Sequence, residues 1–239
     1  TLDKSIDREV VLVPGRFEGY EFSSDERYVL LQNNSIGIFR HSFTATYEVY
    51  DTQTKSKVNI FEGKEIQEPL FSPDASQVAF AFENNGITDW VYEEEFGFVR
   101  HFDWNADGTA LAYVRFDESK VKEINIPIYY QNLYPQELKF KYPKAGEDNS
   151  VVDVMIYDLN SGKTTKLDFG KDFDGYYPRI YWLPNSTDLI TLKLNRHQNH
   201  LDFIRYNTLT QQYDVVFTDD NKCWLEISDE YYFLNDNKT

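Results

Sequence analysis

Apolar and polar residues alternate along the chain in short runs, as in Phe43-Thr-Ala-Thr-Tyr-Glu-Val-Tyr50. Side chains on a strand point to opposite faces with a period of two. Such runs therefore predict half-buried β-strands that pack face to face. Pro, Asp, Asn and Gly, the residues that set tight turns, separate many of the runs.

The pattern repeats. An aromatic residue, a polar turn and a short apolar strand recur as Phe22-Ser-Ser-Asp-Glu-Arg-Tyr-Val-Leu-Leu31 and Phe71-Ser-Pro-Asp-Ala-Ser-Gln-Val-Ala-Phe80. Two further copies run Trp104-Asn-Ala-Asp-Gly-Thr-Ala-Leu-Ala-Tyr113 and Trp182-Leu-Pro-Asn-Ser-Thr-Asp-Leu-Ile-Thr191, and a fifth opens at Phe233. A second half-motif joins a strand end to Tyr, then Asp or Asn, then a polar turn. It appears as Val49-Tyr-Asp-Thr-Gln-Thr-Lys55, Ile156-Tyr-Asp-Leu-Asn-Ser-Gly162 and Arg205-Tyr-Asn-Thr-Leu-Thr-Gln211. Together the halves predict a four-stranded antiparallel unit of about 45 to 50 residues, the scale of a propeller blade. The expected fold is all-β, a partial, several-bladed β-propeller of four-stranded antiparallel blades. A β-sandwich of regular hairpins is the structural alternative.

The spacings add detail. Phe22 and Phe71 lie 49 residues apart, and Trp182 and Phe233 lie 51 apart, but Phe71 and Trp104 are separated by only 33. The second half-motif is absent from that short unit, which implies that a hairpin is missing near Glu83 and Asn84. Between Trp104 and Tyr157 the chain instead carries an excess, at about residues 117–149, which reads as an arm leaving the blade.

Composition supports strands over helices: 17% of the residues are aromatic, and aromatic side chains suit a pleated, half-buried surface. With 239 residues there is room for one large all-β domain or two smaller ones. The net charge of −16 repels phosphate backbones, so nucleic acid is not an expected partner. A single cysteine, Cys223, excludes an intrachain disulfide. No stretch approaches the ~20 apolar residues of a membrane-spanning helix. No signal peptide opens the chain, and its limits at Thr1 and Thr239 read as those of a fragment or mature segment.

One segment breaks the strand pattern. Asp89-Trp-Val-Tyr-Glu-Glu-Glu95 sets three carboxylates beside three large side chains. It predicts a short helical turn, anchored by Trp90, Val91 and Tyr92, with the acids projecting. Such a triplet is either a solvated turn or a cation site, because adjacent carboxylates can accept charge-assisted hydrogen bonds from one ammonium. Arg40 follows the apolar run Ser35-Ile-Gly-Ile-Phe39; its planar fork suits a surface ion pair or a ligand carbonyl or carboxylate. His197 and His200 lack metal partners at zinc spacing, so neither a metal nor a cofactor is expected. The chain has no Gly-x-Ser-x-Gly elbow and no Walker or dinucleotide fingerprint, so it offers no catalytic nucleophile of its own.

Four segments in order carry a resemblance. Gly86-Ile-Thr-Asp-Trp-Val-Tyr-Glu-Glu-Glu95 resembles the double-glutamate segment of the dipeptidyl peptidase IV family, and Arg40-His-Ser-Phe-Thr-Ala-Thr-Tyr47 resembles its Arg-His-Ser-aromatic strand. Tyr142-Pro-Lys-Ala-Gly146 is similar to the turn after the family's arm. Leu194-Asn-Arg-His-Gln-Asn199 is similar to a run common in bacterial members. The resemblance covers about residues 19–239. It implies that 1–239 belongs to the N-terminal propeller of a serine exopeptidase, with the α/β-hydrolase domain and its Ser-Asp-His triad outside this chain.

By the same resemblance, substrates are peptides with a free N-terminus and Pro or Ala in second place. Glu94 and Glu95 would grip the α-ammonium, and Arg40 would hold a carbonyl of the first residues. The arm would help build a homodimer, and the location would be periplasmic, cell-surface or secreted. A prolyl tripeptidyl peptidase, with the amine held farther from the nucleophile, and a non-catalytic peptide- or protein-binding propeller are the alternatives.

Overall fold

The structure is a computed structural model that describes residues 2–3, 8–9, 11–82, 88–129, 133–170 and 173–233. A two-residue ladder joins β1 (Leu2–Asp3) to β2 (Arg8–Glu9). The first full blade is an antiparallel meander of β3 (Gly19–Phe22), β4 (Tyr28–Gly37), β5 (Phe43–Asp51) and β6 (Lys57–Asn59). Next comes a two-stranded sheet of β7 (Gln67–Phe71) and β8 (Val78–Ala81), and then the helix α1 (Trp90–Phe96). A second full blade is built from β9 (Phe102–Trp104), β10 (Ala110–Asp117), β13 (Val151–Asp158) and β14 (Lys163–Lys166). Between β10 and β13, the hairpin of β11 (Glu123–Ile128) and β12 (Gln136–Lys141) pairs only with itself among the described residues. The last sheet holds β15 (Gly175–Tyr176), β16 (Ile180–Trp182), β17 (Asp188–Asn195), β18 (His200–Asn207) and β19 (Gln212–Asp220).

All-β architecture and four-stranded antiparallel units thus agree with the repeat read from the sequence. The short unit is the two-stranded sheet β7–β8. The junction where a hairpin was expected to be missing, at Glu83 and Asn84, lies outside the described residues. So does the fifth motif beyond Phe233.

The repeats share a backbone feature that the residue types alone do not display. Glu26, Ala75, Gly108 and Ser186 each stand four residues after the aromatic that opens the motif, and all have a φ of +56 to +67°. Each donates its N–H to the carbonyl three residues back, on Ser23, Ser72, Asn105 and Leu183. Only one of the four is glycine, although L side chains disfavour the left-handed region. Side-chain oxygens hold the frame. Asp25 accepts from Ser23 and the Arg27 N–H, Asp74 from Ser72 and Ser76, and Asn105 from the Thr109 and Ala110 N–H groups.

The second half-motif has a parallel explanation. Lys55, Gly162 and Gln211 also have positive φ, and Asp51, Asp158 and Asn207 accept backbone N–H groups two or three residues ahead. An Asp or Asn recurs there because its short carboxyl or amide oxygen closes the turn on itself.

Neighbouring repeats are stitched by polar contacts. The Trp104 indole donates to the Leu70 carbonyl, the Trp182 indole to that of Asp103, and Ser24 Oγ to that of Pro73. The main core lies between the second full blade and the last sheet. Ala112, Val114, Val154, Leu189, Leu192 and Leu194 are at most 1% exposed there, and α1 contributes Tyr92 and Phe96.

Candidate functional site

Local chemistry defines α1 at both ends. Asp89 precedes the first turn in an extended conformation, and its carboxylate accepts the Tyr92 N–H. Gly97 closes the helix with φ +69°, donating its N–H to the Glu93 carbonyl. An acceptor before the first turn and a glycine after the last satisfy terminal groups that a seven-residue helix would otherwise leave unpaired.

The rest of the fold then fixes the helix from several sides. The Tyr92 hydroxyl accepts the Tyr177 N–H, and the Phe96 carbonyl accepts from Arg179, which is also paired with Asp229. Ser150 Oγ donates to Asp89. Burial pushes the Asp89 carboxyl above its ordinary value, and those hydrogen bonds oppose the shift. Trp90 packs on Tyr142 at 4.3 Å between ring centres and on Phe140 at 6.3 Å; Phe140 in turn meets Phe39 at 5.7 Å. The aromatic end of the β11–β12 hairpin therefore braces both α1 and the segment before Arg40.

The three carboxylates of α1 part company, because successive helical residues are rotated by about 100°. Glu93 falls on the face of Tyr92 and Phe96 and is 1% exposed. It does not project, contrary to the expectation that all three acids would, because the core-facing stripe includes its position. Glu94 is partly buried and Glu95 exposed. Glu94 Oε2 stands 3.4 Å from Arg40 Nη2, with side-chain exposures of 19% and 70%. The structure thus brings Arg40 and Glu94 together, while Glu95 makes no ion pair among the described residues.

Arg40 occupies a turn after β4. A bulge between Asn33 and Ile36, with Asn34 at φ +56°, interrupts the β4–β5 register just ahead of it. The turn is closed internally, by the Ile38 N–H on the Ser42 carbonyl and the Phe39 N–H on Ser42 Oγ. It is tied to α1 by Glu93 Oε1, which accepts the N–H groups of both His41 and Ser42.

A cavity of about 740 Å³ lies beside this junction, lined by Phe39, Ser42, Asp89, Phe116 and Glu118 among others. Arg40, Glu94 and Glu95 are not among its lining residues. Burial, and next the charge of Asp89, push the Glu118 carboxyl above its ordinary value, disfavouring its ionised form. Behind α1, His101 is fully buried against Tyr92, Phe98 and Phe116, and neither ring nitrogen has a partner among the described residues. Burial, and next the nearby charge of Arg179, hold its pKa well below the ordinary value. Sequence reading missed Glu93, His101 and Arg179. Only Glu93 carried a signal, its place on one helical face with Tyr92 and Phe96.

Comparison with known proteins agrees with this architecture. The family model "Dipeptidyl peptidase IV (DPP IV) N-terminal region" matches residues 23–85 and 84–239, two segments that meet where the repeat is short. A probable dipeptidyl-aminopeptidase B of Talaromyces marneffei is 29% identical over 258 residues, covering 89% of this chain and 29% of the relative. That alignment is longer than the 239-residue chain, so the relative carries residues that this chain lacks. The prolyl endopeptidase FAP of Mus musculus is 34% identical over 166 residues, covering 58% of this chain and 22% of the relative. Among solved structures, dipeptidyl peptidase 4 of Porphyromonas gingivalis superposes with a TM-score of 0.83 at 34% identity, over 88% of this chain and 34% of that one. A putative dipeptidyl aminopeptidase IV of Bacteroides ovatus gives 0.61 at 25%, over 78% of this chain and 29% of that one. The chain spans about a third or less of the length of these relatives. By its sequence and by its propeller-type sheets, the chain belongs to the dipeptidyl peptidase IV N-terminal region family.

Proposed function

We propose that this chain is the substrate-recognising propeller part of a serine peptidase that removes X-Pro and X-Ala dipeptides from peptide N-termini. The Ser-Asp-His triad, in this reading, sits on an α/β-hydrolase domain of the complete protein. Glu94 and Glu95 receive the substrate's α-ammonium, and Arg40 holds a carbonyl of the first residues. The supporting observation is the approach of Arg40 to Glu94, 54 positions apart in sequence, on a rim where the Arg40 side chain is 70% exposed and that of Glu94 19%.

The chemistry is one of positioning. An α-amino group has an ordinary pKa near 8 and is mostly charged at neutral pH. Carboxylates held at a fixed distance from a nucleophile act as a ruler, since only a chain end can reach them while its second peptide bond is presented for attack. Glu94 can receive the ammonium because its resting partner is a largely exposed cation, 3.4 Å away, that an incoming ammonium can displace. The β11–β12 hairpin, in the same reading, is the arm of a homodimer.

The test compares X-Pro amide substrates with free and acetylated N-termini on the complete protein. Acetylation is expected to lower kcat/KM by about 100-fold or more. Equal cleavage of both would overturn the ammonium role and favour internal cleavage, the activity in the name of the mouse relative. Release of X-X-Pro instead of X-Pro would move the ruler by one residue.

A further inference from the structure

We propose that Glu93, the first acid of the triplet, is a positioning residue that holds the Arg40 turn in register with Glu94 and never touches substrate. This rests on the reading above for its effect on catalysis, but not for its effect on the turn.

The side chain is 1% exposed, so no peptide on the rim can reach it. One of its oxygens accepts two consecutive backbone N–H groups, from His41 and Ser42. Two adjacent donors converging on one atom fix the orientation of the peptide planes that follow Arg40, and with them the origin of its side chain. No other hydrogen bond among the described residues ties the backbone of the 38–42 turn to another element; its remaining bonds close the turn on itself. The Arg40 side chain is 70% exposed and has Glu94 as its one ion-pair partner among the described residues, so its placement depends on where the turn is held. Glu93 and Glu94 are neighbours on one short helix. The acid that fixes the turn and the acid that meets Arg40 are therefore rigidly coupled, and the separation of Arg40 from the ammonium site is set by a single turn of α1.

The second oxygen of Glu93 has no hydrogen-bond partner among the described residues. A buried carboxylate left half unsatisfied is costly for folding alone. Retaining it is intelligible if one acceptor oxygen at that reach is needed to draw both N–H groups together. A glutamine keeps an acceptor oxygen at the same reach, whereas an alanine leaves both N–H groups without a partner and an aspartate draws the acceptor back by one methylene.

The experiment uses the complete protein with Glu93→Gln, Glu93→Asp and Glu93→Ala, each alone and combined with Arg40→Ala. Hydrogen exchange of peptides spanning residues 38–46 reads the turn directly, whether or not the protein is a peptidase. Protection there should fall with Ala, fall partly with Asp and persist with Gln. On an X-Pro substrate, Glu93→Ala should raise KM about 10-fold with kcat changed less than about 3-fold, and Gln should restore KM. In the Arg40→Ala background the KM effect should vanish, because the residue through which Glu93 acts is gone. A merely structural role would lower kcat/KM by the same factor in both backgrounds, which overturns the proposal, as does unchanged exchange in Glu93→Ala. If the alanine variant does not fold, the Asp and Gln pair decides by the same two readouts. A complete protein without peptidase activity overturns the functional reading, and the exchange result still decides the hold of Glu93 on the turn.

Discussion

The indole nitrogen of Trp182 donates to the carbonyl of Asp103 at 3.1 Å, and Trp104 repeats the contact on Leu70 at 3.3 Å one repeat earlier. Each acceptor immediately precedes the aromatic that opens the preceding motif. Tryptophan at that position is therefore a suture between sheets as well as a packing residue, because its indole supplies the N–H that phenylalanine lacks. A net hydrogen bond contributes about 1 kcal/mol, and Trp104 is the more buried of the two. Trp104→Phe should lower the unfolding free energy by about 1–3 kcal/mol and Trp182→Phe by about 1 kcal/mol, read from urea midpoints. Equal stability in all three proteins would dismiss the suture.

The proposed site makes a kinetic forecast. Glu94→Gln in the complete protein should reduce kcat/KM on an X-Pro substrate by about 10- to 100-fold. Arg40→Ala should act mainly through KM. Wild-type constants for Glu94→Gln would remove that carboxylate from substrate binding.

His101 carries a pH signature. Its folded-state pKa lies below the ordinary value of 6.5, so the folded state refuses a proton that the unfolded chain accepts. Stability should then decline as the pH falls below about 6.5, by up to about 1.4 kcal/mol per pH unit, until the depressed folded pKa is reached. Changing His101 to Phe keeps an aromatic ring among Tyr92, Phe98 and Phe116. It should flatten that part of the profile while preserving stability at pH 8. His200 works in the opposite sense: Asp220 raises its pKa, so its contribution is present in acid and fades as pH rises through the folded value. Urea unfolding between pH 5 and 8 separates the two.

The left-handed residues of the first half-motif invite a stabilising change. Glu26 is exposed and has φ +56°. A glycine relieves the steric conflict of its Cβ, and the extra freedom it gives the unfolded chain offsets part of the gain. Glu26→Gly should raise the unfolding free energy by up to about 1 kcal/mol, seen as a higher Tm. A loss of stability would mean that the Glu26 side chain makes contacts outweighing the strain.

Much of the architecture was legible because strand alternation and turn chemistry are local. Asp51, Asp158 and Asn207 close their turns within three residues, so their spacing displays the repeat directly. The short unit also showed itself as a shortened interval between Phe71 and Trp104. The two-residue strand at Gly175 and Tyr176 did not, because two residues carry no period. At the site, residue types flagged Arg40 and the acidic triplet but could not say which acid faces inward. That depends on Tyr92 and Phe96 entering the core, and on partners such as Arg179 and Tyr177 supplied by the distant segment between β15 and β16.

Those distant partners order events in time. The peptide N–H of Tyr177 reaches the Tyr92 hydroxyl across 85 residues, and Arg179 reaches the Phe96 carbonyl across 83. As the chain leaves the ribosome, α1 emerges long before the segment between β15 and β16 that clasps it, and closing such wide loops is slow. The rim bearing Glu94 should mature only after the last sheet has docked, so a nascent chain halted before Tyr177 would carry every residue of the triplet and no finished site.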